Sequence, residues 1–135
     1  MATKVLDSHA LMAFFNDEAG AEVVEKLLLS AESGNPKLLM TVVNWGEIYY
    51  SVMRGASQEL AEETVQEIAG MPIELVPVDL DLNLVRQAAT YKASKKVSYA
   101  DAFAAALAKL RKAELVTGDR EFKALEGEIK IMWLR

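Results

Sequence analysis

The chain opens with a short apolar run, Lys4-Val5-Leu6, which is partly β-branched and halts at Asp7-Ser8-His9. Leu11, Met12, Phe14 and Phe15 then fall at helical spacing, so the pattern predicts a strand, a turn and a short helix. From Glu18 to Ser33 the apolar Val23, Val24, Leu27 and Leu28 again recur at helical spacing, and Gly34-Asn35-Pro36 closes that segment with helix-breaking residues. Leu38 to Val43 forms a continuous run of strand length, the pattern of a strand covered on both faces. Asn44 ends the run and is placed to cap the helix that follows, with Glu47 three residues on as its capping-box partner. Ile48, Tyr49, Val52 and Met53 supply that helix's buried stripe, and Arg54-Gly55 ends it.

A further helix is predicted from about Gln58 to Ala69. Ile73 to Val78 alternates weakly like a short strand, and its flanking Pro72 and Pro77 suit the edge of a sheet. Leu82 to Ser94 reads as helix, and Ser98-Tyr99-Ala100-Asp101 starts an Ala-rich one whose stripe is Phe103, Ala106, Leu107 and Leu110. Leu115-Val116-Thr117 is a strand, Glu121 to Leu125 a short helix, and Ile129 to Trp133 a final alternating strand. Strands alternating with helices call for an α/β fold: one domain over residues 1–135, a five-stranded parallel sheet, and helices on both faces. In such sheets ligands collect outside the carboxyl ends of the strands.

Composition narrows the chemistry. The 135 residues are 52% hydrophobic and 26% charged, ordinary globular values for a single domain. The absence of cysteine removes disulfides and thiolate metal sites, leaving oxygen as the chief metal-ligand class and fitting a reducing, cytoplasmic setting. Met1-Ala2-Thr3-Lys4 runs straight into Val5-Leu6-Asp7 without the apolar core of a signal peptide, and no apolar stretch reaches the roughly 18 residues that a bilayer span requires. A net charge of −5 argues against broad electrostatic binding to nucleic acid, unless acidic residues hold a divalent cation and so lower the effective charge of their surface.

The acids have a pattern. Asp7 follows the first strand and Asp119 lies two residues past Thr117 at the end of the fourth, so a parallel sheet puts both on one edge. Glu47 falls in the first turn of the helix leaving the second strand. Asp101 falls in the first turn of the helix leading into the fourth, which a right-handed crossover can return to the same edge. Two carboxylates about 4 Å apart at an effective dielectric near 20 repel by roughly 4 kcal/mol, so a cluster of four needs a positive partner. No lysine or arginine occupies the turn after Asp7, and Arg120 and Lys123 adjoin only one acid of the four, which points to Mg²⁺ or Mn²⁺. Carboxylate-held metal supports phosphoryl hydrolysis without a histidine or cysteine nucleophile, in a chain with one His and no Cys.

Val5-Leu6-Asp7-Ser8, Asn44-Trp45-Gly46-Glu47, Ser98 to Ala108 and Leu115-Val116-Thr117-Gly118-Asp119-Arg120-Glu121-Phe122 resemble, in order, the motifs of PIN-domain ribonucleases, and their size and order look most like VapC toxins. The resemblance implies catalytic and metal-binding roles for Asp7, Glu47, Asp101 and Asp119, with Ser8 and Thr117 supporting the site. It also implies a Mg²⁺- or Mn²⁺-dependent endoribonuclease acting on RNA, a homodimer, and a VapB-like antitoxin partner. Two positions depart from the family pattern: His9 stands where a small or hydroxyl residue is more common, and Asn44 where Ser or Thr is.

Each acid taken singly has a structural account. Glu47 and Asp101 can serve as capping partners of Asn44 and Ser98, and Asp7 and Asp119 as turn residues. Lys92, Lys95, Lys96, Arg111 and Lys112 form the densest basic stretch, either an RNA guide or a solvated helix end. Two other functions compete: a PIN-like module that binds RNA or protein without cutting, and a phosphoacceptor receiver domain. The receiver reading wants an acid pair, an acceptor Asp and a late Lys, which the stretch around Val76-Pro77-Val78-Asp79 does not supply.

Overall fold

The computed structural model describes residues 2–80 and 82–134. Its strands are β1 (Thr3–Leu6), β2 (Lys37–Thr41), β3 (Ile73–Val76), β4 (Glu114–Thr117) and β5 (Ile131–Trp133), joined in one parallel sheet of order β3-β2-β1-β4-β5. The helices are α1 (Ser8–Phe15), α2 (Ala21–Glu32), α3 (Val42–Gly55), α4 (Gln58–Ala69), α5 (Asn83–Ser94) and α6 (Tyr99–Arg111), and a 3₁₀ segment runs over Arg120–Leu125. The expected five-stranded parallel α/β architecture is present, with the proline-flanked β3 at one edge. A receiver domain orders its strands 2-1-3-4-5. Here β1 lies between β2 and β4, which removes that alternative.

Why the central strands are apolar throughout follows from the sheet's two covered faces. Val5, Leu39 and Leu115 point into a core built with α5, α6 and the 3₁₀ segment, where Phe103, Phe122 and Leu125 are buried. Their strand neighbours Leu6, Leu38, Met40 and Val116 point into a second core with Leu11, Val24, Ile48 and Ile68 of α1 to α4. Side chains alternate across a strand, so a strand buried on both faces shows a continuous apolar run.

α6 is the central helix. Asp101 through Ala108 are all buried, and the alanines let its backbone lie close against β1, β2 and β4 while α3 and α5 flank it.

β3 ends at Val76, before Pro77, and β5 begins at Ile131, both shorter than expected, and the boundary after β2 differs most in consequence. β2 stops at Thr41, and Val42-Val43 begin α3 in spite of their β-branching. Thr41 is the cap: its Oγ1 accepts the Asn44 N–H at 3.0 Å and donates to Asn44 Oδ1 at 2.5 Å. Side-chain capping outweighs a weak propensity here. Asn44 therefore sits inside the helix as a buried residue, and Glu47 falls in the second turn of α3.

Candidate active site

Four chain segments end at the carboxyl edge of β1 and β4, and each brings an acid. Asp7 follows β1 and caps α1, its Oδ1 accepting the Ala10 N–H at 2.8 Å. Its Oδ2 accepts the Thr117 hydroxyl at 2.6 Å, and Thr117 Oγ1 in turn accepts the Asp119 N–H at 3.0 Å. This relay ties the loop after β4 to β1, and both Asp7 and Thr117 are fully buried. Asp119 then caps the 3₁₀ segment, its Oδ1 accepting the Glu121 N–H at 3.0 Å.

Asp101 is delivered by α6. Ser98 Oγ accepts the Asp101 N–H at 3.1 Å, starting the helix where its first turn meets the loop after β4. One carboxylate oxygen from each of Asp101, Asp119 and Glu121 lies within 4.8 Å of the others. Glu47 comes from α3, its Oε1 accepting the Ser8 hydroxyl at 2.5 Å rather than serving as the capping partner of Asn44. Glu47 and Glu121 both act electrostatically on Asp101, and Asp101 and Asp119 both act on Asp7. The structure thus gathers the four acids singled out in the sequence and adds Glu121, whose spacing of two from Asp119 in a strand-end loop was the available signal.

Burial dominates the electrostatics. It pushes Asp7 up to about 7, against the lowering effect of the Thr117 and Ala10 hydrogen bonds, with Asp101 and Asp119 raising it further. Asp101 is likewise pushed up to about 7 by burial first, then by Asp119 and Glu47. Desolvation and like charge each disfavour the ionised carboxylate.

The supporting side chains fix this geometry. Asn44 Nδ2 donates to the Ala100 carbonyl at 3.2 Å, clamping α3 to the first turn of α6 and so holding Glu47 and Asp101 in fixed relation. His9 packs against Gly118: a Cβ at position 118 would stand 2.7 Å from His9 Cε1, so any larger residue there requires the imidazole to move. His9 Nδ1 is buried without a hydrogen-bond partner among the described residues.

The basic stretch divides. Lys92, Lys95 and Lys96 precede α6, with Lys92 Nζ donating to the Val97 carbonyl. Arg111 and Lys112 stand at the far end of α6, about 15 Å from Asp101 at 1.5 Å per residue. Among the described residues no lysine or arginine forms an ion pair with any of the five acids; the ion pairs are Lys4–Glu114 and Lys37–Glu74.

The donor set suits a hard divalent cation. All ligand atoms are oxygens, three converge, and each oxygen of the neighbouring Asp7 accepts a single described hydrogen bond, leaving a lone pair free.

Comparison with known proteins follows the same line. The family model for the PIN domain matches residues 4–128. No curated protein sequence matches the chain. Among solved structures, the chain is similar to one in DNA-bound VapBC from Salmonella typhimurium, at 18% identity over 100% of both chains with a TM-score of 0.75. It is similar to one in VapBC-5, a member of the VapBC family of toxin–antitoxin systems from Mycobacterium tuberculosis, at 25% identity over 100% of this chain and 99% of that one, TM-score 0.66. VapC20 from the same organism, described as a sarcin-ricin loop cleaving toxin, aligns at 16% identity over 93% of this chain and 95% of its own, TM-score 0.71.

Proposed function

This chain belongs to the PIN domain family, and on that premise we propose that it is a Mg²⁺- or Mn²⁺-dependent endoribonuclease acting as the toxin of a toxin–antitoxin pair. The observation that carries the reading is the convergence of Asp7, Glu47, Asp101, Asp119 and Glu121 at one sheet edge with no described basic side chain paired to them. Such a cluster at the carboxyl ends of parallel strands is costly to keep unless it serves a ligand.

Asp101 and Asp119 would hold the cation together with Asp7, which lies close enough to both to feel their charge, and Glu121, whose oxygen converges on theirs, would complete its surroundings with Glu47. The cation, when bound, lowers the pKa of coordinated water and neutralises charge developing on a phosphoryl group. Thr117 orients Asp7 through its hydroxyl and fixes the Asp119 backbone with the same oxygen. Ser8 orients Glu47, whose carboxylate would accept a proton from the attacking water.

A VapB-like antitoxin, a homodimer and a cytoplasmic setting belong to the same reading. It is supported by the likeness to toxin–antitoxin structures, and no helix among the described residues is long and apolar enough to cross a membrane.

The test is cleavage of a mixed RNA pool by purified protein with Mg²⁺, with Mn²⁺ and with EDTA, beside Asp101→Asn. Cutting that needs metal and disappears in the variant is the expected result. Cutting that persists in Asp101→Asn would sink the mechanism, and no cutting by clean, folded protein across several RNA classes would favour the binding-only alternative.

A further inference from the structure

An arginine stands beside the acidic cluster and pairs with none of it. Arg120 directly follows Asp119 and precedes Glu121, yet its guanidinium lies over the indole of Trp133, 5.3 Å from the ring centroid, and forms no ion pair among the described residues. Trp133 is the last residue of β5, in register with Thr117, so its Cα sits one strand spacing, about 4.8 Å, from the residue that holds Asp7. The indole is fixed rather than loose: Nε1 donates to Glu126 Oε2 at 3.1 Å, and the ring packs partly against the core while remaining half-buried.

We propose that Arg120 and Trp133 form a nucleotide subsite beside the scissile position, taking an unpaired base on the indole and the adjoining phosphate on the guanidinium. The proposal rests on the nuclease reading for its substrate and gives that substrate a second point of attachment on this chain.

The chemistry selects that occupant. Once the guanidinium moves off its face, a part-buried indole offers a stacking surface to any base, and a planar guanidinium is matched to phosphate oxygens. Both groups lie within one strand of the carboxylates. The surface around the cleft is acidic, so a polyanion needs a cation at its margin, and Arg120 is the arginine attached directly to the cluster. In the free protein the guanidinium covers the ring. An incoming base takes its place there, and the released arginine turns to the phosphate. A base inside a duplex has no free face for the indole, so the subsite discriminates for unpaired RNA.

The experiment measures binding apart from cleavage, in Ca²⁺, with the oligonucleotide checked by gel for intactness. In a Trp45→Phe background Trp133 is the sole tryptophan. Titration with an unpaired hexaribonucleotide is expected to quench its emission, while a blunt RNA duplex at the same concentration leaves it nearly unchanged. By anisotropy of a labelled hexamer, Trp133→Leu and Arg120→Ala are each expected to weaken binding by about tenfold and Trp133→Phe to retain most of it. Arg54→Ala, which removes an equal charge from another exposed arginine-on-ring pair, is expected to change binding by less than about twofold.

Equal binding of duplex, unchanged binding in Trp133→Leu, or equal losses in Arg54→Ala and Arg120→Ala would overturn the subsite. Arg120 is exposed, so its variant reports even where a Trp133 variant folds poorly. Quenching by a protein that cuts nothing keeps the subsite and discards the nuclease. Cutting whose KM is unmoved in Arg120→Ala keeps the nuclease and discards the subsite.

Discussion

The two edges of this sheet are built from the same strands and treat charge in opposite ways. At the amino edge the charges match across neighbouring strands: Lys4 of β1 pairs with Glu114 of β4 opposite it, and Lys37 of β2 with Glu74 of β3. At the carboxyl edge Asp7, Glu47, Asp101, Asp119 and Glu121 converge without a described cation, and two of them are buried. The amino edge is electrostatically complete within the chain. The carboxyl edge is complete only with something added, and that difference separates the charges that hold the fold from those that serve it.

The most severe way to break the contrast is to remove a charge from the crowded edge. Asp7→Asn keeps the shape and an acceptor for the Ala10 N–H, but is expected to lower cleavage by about 10²- to 10³-fold. Above about pH 7, where Asp7 is ionised, the same substitution is expected to raise the melting temperature without divalent cation, because a buried charge and its repulsions are gone. Loss of activity together with loss of stability would instead mark Asp7 as a structural cap.

Acidity sharpens the contrast next. Asp7 and Asp101 are both raised from 3.8 to about 7, so between those values the native state holds protons that the unfolded chain has released. The stability that these two groups contribute without metal is therefore fully present below about pH 4, is lost as pH rises to about 7 and changes little above it. Saturating Mn²⁺ favours the ionised carboxylates and is expected to flatten or reverse that decline. Melting curves from pH 4 to 8 for the wild type and Asp7→Asn, with and without Mn²⁺, check it, and a difference between the two proteins that stays constant over that range in EDTA would contradict the assignment.

Glu121→Gln tests whether the fifth acid belongs to the cluster. An expected loss of about tenfold in activity, with a weaker Mn²⁺ requirement curve, would place it beside the ion rather than in it. The smallest effect belongs to the other edge: Lys37→Ala opens a half-exposed pair and should cost under about 1 kcal/mol by denaturant melting, with cleavage unchanged.

Much of this was legible before the structure. The alternation of strand and helix gave the parallel sheet, and the prolines around β3 gave its edge position, because backbone donors and side-chain faces leave direct marks in sequence. Asp7, Glu47, Asp101 and Asp119 were legible as strand-end or helix-start acids. Less visible was anything depending on three-dimensional neighbours. The run through Val43 hid the start of α3, since the cap is set by which hydroxyl finds the Asn44 amide and not by apolar content. Glu121 and the Arg120–Trp133 pair depend on how the loop after β4 folds over β5, a relation between residues distant in sequence.

The contact between His9 and Gly118 constrains the order in which this protein can change. Gly118→Ala alone puts a methyl group against the imidazole, so that the His9 side chain must turn aside, whereas His9→Ser opens the space that the methyl group needs. Made after His9→Ser, Gly118→Ala meets no ring; made first, it needs the ring to move. Their effects are therefore not additive, and the histidine sets the cost of any side chain at position 118, because that side chain must first move the ring.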